Sequence, residues 1–143
     1  KDGEYVITDA MKAELSEFFG AFGSEEETAV KIKEVYDKEG YVMDTHTAVA
    51  YAAYEKYKKE TKDETPAVIV STASPYKFTK DVLTSIDSKY SLMDFFPLMA
   101  ELEKISGVPV PRAVKNIDKR PVLHRNVIDK TEIKDFVKKQ LIK

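Results

Sequence analysis

Two short polar runs hold the side chains best placed to do chemistry. The first is Ser71, Thr72 and Ser74, three hydroxyls within four positions. The second is Asp44, His46 and Thr47, a carboxylate, an imidazole and a hydroxyl, again within four positions. The first run follows Ala67–Val70, which is apolar without a break and rich in β-branched residues. A strand covered on one face alternates apolar and polar, so an unbroken run predicts an interior strand covered on both faces, as in a parallel sheet. Ser74 is a good helix N-cap, and Pro75 suits the first helical position, where a missing N–H costs nothing. In open α/β sheets, ligands collect outside the carboxyl ends of the strands. The hydroxyl run is therefore the place to look for a site. The bland alternative is that Thr72 satisfies backbone groups at a strand end.

The elements around these runs follow from periodicity and caps. Tyr5–Ile7 reads as a short strand. A helix capped by Thr8 or Asp9 then carries Met11, Leu15, Phe18 and Phe19. Ser24 and Glu27 form a capping box for a helix through Val30, Ile32, Val35 and Tyr36, with Gly40 ending it. Tyr41–Met43 reads as a second strand, and Asp44–Thr47 opens a helix through Ala48, Val49, Ala52, Ala53 and Tyr57. The alanines leave little bulk, so that helix can lie close to a neighbour. Phe78, Val82, Leu83 and Ile86 mark the helix after Pro75, and Asp87–Ser91 reads as a linker. Phe95–Ile105 is helical and ends at Gly107. Pro111 opens a short helix through Ile117, and Pro121–Val127 reads as an edge strand. Asp129 or Thr131 caps a last helix with an apolar stripe of Ile133, Phe136, Val137 and Leu141. The fold class expected is α/β, helix-rich, with a small, partly parallel sheet.

Composition narrows the function classes. The 143 residues fit one domain, 1–143, large enough for a core. Lys plus Arg (23) nearly balance Asp plus Glu (25), which gives no drive toward nucleic acid or an anionic membrane. The absence of cysteine excludes a disulfide framework, a thiolate metal site and a thiol nucleophile, and fits a cytoplasmic protein. No apolar run reaches the roughly 18 residues of a membrane span. The two histidines, His46 and His124, lack metal-ligand spacing with the scattered carboxylates, so no metal is expected. The basic run from Arg112 to Arg125 has no interleaved aromatics and reads as a solvated face. The five glycines are isolated, so no phosphate-cradling loop is present. The chain opens with Lys1, which suggests a trimmed or excised piece.

STASPYKF (Ser71–Phe78) resembles the segment of threonine synthases that often reads TAHPAKF. GYVMDTHTAVAYA (Gly40–Ala52) is similar to that family's GYLLDPHTAVA. The two lie in the right order, about one helix and one loop apart. The resemblance is to the C-terminal part of the enzyme. It implies a C-terminal fragment of a pyridoxal 5′-phosphate (PLP) enzyme of fold type II, the tryptophan synthase β-like group. That enzyme converts O-phosphohomoserine and water to threonine and phosphate. Thr72 would meet the cofactor's pyridine nitrogen, with Ser74 a weaker contributor. Asp44, His46 and Thr47 would support the turn beside the cofactor. Thr45 stands where the family has proline, and Ser74 where many members have histidine. The covalent lysine and the phosphate cradle would lie in the missing N-terminal region. Lys77 would be a surface residue, no catalytic residue is assigned to this chain, and the fragment alone would be inactive. Two rival readings stay open: a non-catalytic α/β module that holds a small anion at a helix N-terminus, and a piece of another PLP enzyme of the same fold group.

Overall fold

Each helix begins and ends where local chemistry allows it. A computed structural model describes residues 3–142. Helix α1 (Asp9–Glu14) follows Thr8, whose hydroxyl accepts from the Met11 N–H at 3.2 Å. Helix α2 (Glu25–Glu39) has the reciprocal capping box: the Glu27 N–H donates to Ser24 Oγ at 3.2 Å, and the Ser24 N–H donates to Glu27 Oε2 at 2.8 Å. It stops at Gly40, whose φ of +68° is the left-handed geometry that glycine adopts without strain. Helix α3 (Thr45–Thr61) starts at Asp44 and stops at Lys62, which holds φ +60° despite its side chain. A 3₁₀ turn, Pro75–Phe78, leads from Ser74 into α4 (Thr79–Ile86). Helix α5 (Phe95–Ser106) ends at Gly107, again left-handed. Helix α6 (Ile133–Leu141) follows a second capping box, between Asp129 and Glu132.

The chain divides into two compact units, Lys1–Arg112 and Ala113–Lys143. In the first, α2 packs against α3 and α4, and α4 packs against α5. Ile32 from α2, Ala48 and Ala52 from α3, Val82 and Leu83 from α4, and Leu98 and Leu102 from α5 are all buried. Ala48 is fully buried, consistent with its small side chain letting α3 lie close to its neighbours. Val42 and Met43 are also buried, in the connector between α2 and α3. The second unit holds two 3₁₀ turns, Ile117–Lys119 and Lys130–Glu132, and α6. No residue of α6 is buried, so its apolar stripe of Ile133, Val137 and Leu141 lies open.

The expected α/β class is corrected: the fold is all-helical, with no strand among the described residues. Tyr5–Ile7, Tyr41–Met43, Ala67–Val70 and Pro121–Val127 form no sheet. Ala67–Val70 is not an interior strand but an open segment, with Val68 90% and Val70 68% exposed. A short apolar run cannot by itself distinguish a strand from other conformations. A strand also needs a partner backbone to take its N–H and C=O groups, and these segments find none among the described residues. Smaller corrections follow. Asp87–Ser91 is not a plain linker but enters a 3₁₀ turn, Ser88–Leu92, and the stretch after Pro111 forms turns before Ile117.

Candidate functional site

Asp44 is the centre of the side-chain cluster that, among the described residues, joins the two polar runs. It caps α3, and its side chain is fully buried. Oδ1 accepts from the His46 N–H at 2.9 Å and the Thr47 N–H at 3.3 Å. Oδ2 accepts from the Thr47 hydroxyl and from Ser71 Oγ, the latter at 3.4 Å. Thr47 Oγ1 and Ser71 Oγ are 3.2 Å apart. A carboxylate offers about four lone-pair sites, and these four donors occupy them. Burial of this side chain is tolerated because its acceptor positions are filled.

The Ser71–Ser74 run is held at both of its ends. Ser74 Oγ accepts from the Tyr76 N–H at 3.3 Å, and the Ser74 carbonyl accepts from the Lys77 N–H at 2.9 Å. Tyr76 is buried, and its phenol donates to the Val108 carbonyl at 2.5 Å. Burial, and then the neighbouring Glu103 carboxylate, push the Tyr76 phenol above its ordinary range. Thr72 lies between Ser71 and Ser74, is exposed, and makes no side-chain hydrogen bond among the described residues. Its hydroxyl is free to donate to or accept from an outside group.

His46 stands slightly apart from this cluster. Its Nδ1 is 3.5 Å from Asp44 Oδ1, yet its side chain is 56% exposed. The ring leans on Phe78, with centroids 5.1 Å apart. Both line a groove of about 360 Å³ that also includes Glu25 and Asp81. Lys77 is exposed, with its ammonium 5.8 Å from the Phe78 ring centroid. His124 is exposed in the second unit. No group of three or more His, Cys, Asp or Glu side chains suited to a metal ion occurs among the described residues.

The two motif segments therefore meet, through Asp44, Thr47 and Ser71, but at a helix N-terminus and a loop rather than at two strand ends. Sequence reasoning noted Ser71 as part of a hydroxyl run and gave it no partner. Its link to Asp44 spans 27 positions, which no local pattern reveals. Tyr76 was likewise missed, although an aromatic with a polar tip at a helix entry is a residue type that commonly anchors such turns.

Residues 47–136 match the family described as "Threonine synthase, C-terminal". The match takes in Thr47, Ser71, Thr72 and Ser74, and begins just after Asp44 and His46. A threonine synthase of Schizosaccharomyces pombe (strain 972 / ATCC 24843) is 33% identical over 97 residues, which is 66% of this chain and 19% of that protein. The chain thus spans about a fifth of the length of the curated relative it matches. No helix among the described residues is long and apolar enough to cross a membrane.

Proposed function

The chain belongs to the threonine synthase C-terminal family, and on that footing we propose that it is the C-terminal portion of a cytoplasmic threonine synthase. The parent enzyme converts O-phosphohomoserine and water to threonine and phosphate with PLP. The rest of that enzyme, including the lysine that carries the cofactor, is the partner of this region. The observation that carries the reading is the meeting of the two motif segments at Asp44 and Ser71, beside an unengaged hydroxyl at Thr72.

The residues present suit one edge of the cofactor. A pyridine nitrogen is a single acceptor or donor, and Thr72 offers a single hydroxyl that no internal partner holds. Ser74 is already engaged with the Tyr76 N–H, so it serves the turn first and the ligand second. No glycine-rich loop here could cradle a phosphate, so that contact belongs to the remainder of the enzyme. The bound cofactor supplies an electron sink for reactions at the substrate's amino-acid carbons. A hydroxyl at the ring nitrogen, unlike a carboxylate, does not hold a proton there, and so moderates the sink. Thr72 thereby orients the ring and sets its electron demand. Asp44 and Thr47 hold the N-terminus of α3 next to the loop, and His46 borders the adjoining groove.

The test is Thr72→Val in the full-length enzyme, a near-isosteric change at an exposed position. Turnover should fall roughly 5- to 150-fold, the effect of losing one buried hydrogen bond worth about 1–3 kcal/mol in the transition state. The cofactor absorbance should shift while the melting temperature holds. Unchanged kinetics and spectrum in the folded variant would return Thr72 to a plain loop hydroxyl. The 143-residue chain alone should release no phosphate from O-phosphohomoserine.

A further inference from the structure

Residues 62–74 contain neither helix nor strand. A segment of that kind has no ladder of backbone hydrogen bonds to hold its shape, so side-chain anchors must hold it. Three anchors exist. At the start, Asp63 accepts from the Tyr57 hydroxyl at 2.6 Å and from the Thr65 N–H at 2.8 Å. At the end, Ser74 caps the turn that leads to buried Tyr76. Between Thr65 and Ser74, Ser71 makes the only hydrogen bonds of the segment among the described residues. Its partners are Asp44, fully buried, and Thr47 in the first turn of α3.

We propose that Ser71 is a positioning residue for the cofactor: its hydroxyl, tied to the Asp44 carboxylate and Thr47, fixes the backbone one residue before Thr72. This role presupposes that Thr72 meets the cofactor's ring nitrogen. Ser71 is itself exposed, so its link buries little surface and adds little to folding. Its effect is geometric. The Thr72 hydroxyl is one residue from the point where the middle of the loop is attached to α3. Misplacing a contacting group by about 1 Å costs on the order of 100-fold in a well-oriented site. Asp44 is a suitable anchor because its carboxylate is held by two backbone N–H groups of α3 and cannot follow the loop. The attachment therefore transmits the position of the α3 N-terminus to the hydroxyl that touches the ring.

The experiment compares wild type, Ser71→Ala, Ser71→Thr and Thr72→Val in the full-length protein, with and without PLP. Three quantities are read: backbone NMR order parameters of residues 69–74 without cofactor, the apparent dissociation constant for PLP, and the emission maximum of the bound cofactor. Ser71→Ala should lower the order parameters across 69–74, weaken PLP about tenfold and shift the emission, with an unchanged melting temperature. Ser71→Thr, which keeps the hydroxyl, should restore all three. Order parameters equal to wild type in Ser71→Ala would overturn the attachment itself. Lower order parameters with unaltered PLP affinity and emission would overturn the positioning role. If Thr72→Val also leaves affinity and emission untouched, the assignment of Thr72 to the cofactor fails, and the positioning role falls with it. The order parameters would still report on the attachment independently.

Discussion

The Tyr76 phenol donates to the Val108 carbonyl at 2.5 Å, joining the turn before α4 to the chain that leaves α5. The two residues are 32 positions apart, and the bond ties together the flanks of the packed α4–α5 pair. Tyr76→Phe keeps the ring and removes only the bond, and Val108 is exposed enough for water to replace the lost donor. The loss should be about 0.5–1.5 kcal/mol by denaturant unfolding. The phenol's pKa lies above its ordinary 10 in the folded chain, through burial and then Glu103. The unfolded chain therefore releases this proton first as pH rises. The stability contributed by Tyr76 is fully present below about pH 10 and is lost above it. Tyr76→Phe should flatten the alkaline limb of a stability–pH profile. An identical limb in both proteins would refute the coupling.

Asp44 serves the helix and the loop at once, and the two services are separable. Asp44→Ala removes the cap of α3 and takes the carboxylate partner from the buried Thr47 hydroxyl, which should cost about 2–4 kcal/mol. Asp44→Asn keeps a cap oxygen and weakens the charged contacts, and should cost about 1 kcal/mol. Urea unfolding of the two variants reads the difference. Equal losses would mean that the cap, which Asn keeps, adds nothing, and that the charged polar cluster is what Asp44 provides.

Asp63 gives an acid-side counterpart. Its carboxyl is held down to about 2, below the ordinary 3.8, by the Thr65 side chain, the Tyr57 hydroxyl and the Thr65 N–H. A depressed carboxylate contributes stability above its unfolded pKa and loses it as pH falls through the folded one. The latch between the end of α3 and the start of the loop should thus loosen between about pH 3.8 and about pH 2. Carbon-detected titration of Asp63 and exchange of the Thr65 amide should follow the same curve. Asp63→Asn should abolish that pH dependence.

The helices were legible because their signals are local. Ser24 with Glu27, Asp44, Gly40 and Gly107 sit where caps are found, and each holds the geometry expected of it. Lys62 was not legible: a lysine with positive φ has no sequence signature, and here the end of α3 imposes it. The sheet was misread because Ala67–Val70 and Pro121–Val127 carry strand composition, whereas pairing depends on a distant backbone that no local run specifies. The candidate site was half legible. The residue types in both runs pointed to a shared place, while the atom that joins them, Ser71 Oγ, became visible only through its 27-residue reach to Asp44.

Val68 is open and Leu98 is buried, and together they test whether this region is one part of a larger enzyme. Leu98 is fully buried, so Leu98→Ala should cost about 2–5 kcal/mol both in the 143-residue chain and in the full-length protein. Val68 is 90% exposed here, so Val68→Lys should change the stability of the 143-residue chain by no more than about 0.5 kcal/mol. If the rest of the parent enzyme covers the 67–70 segment, the same lysine is forced into an apolar contact there. It then costs at least about 2 kcal/mol, the penalty for burying a charge without a partner. The measurement is thermal unfolding of Val68→Lys in both settings, with Leu98→Ala as the reference that should not depend on setting. A Val68→Lys variant as stable as wild type in the full-length protein would show that the open apolar segment faces solvent there too. The 62–74 loop would then be held by its Asp63, Ser71 and Ser74 anchors without that cover.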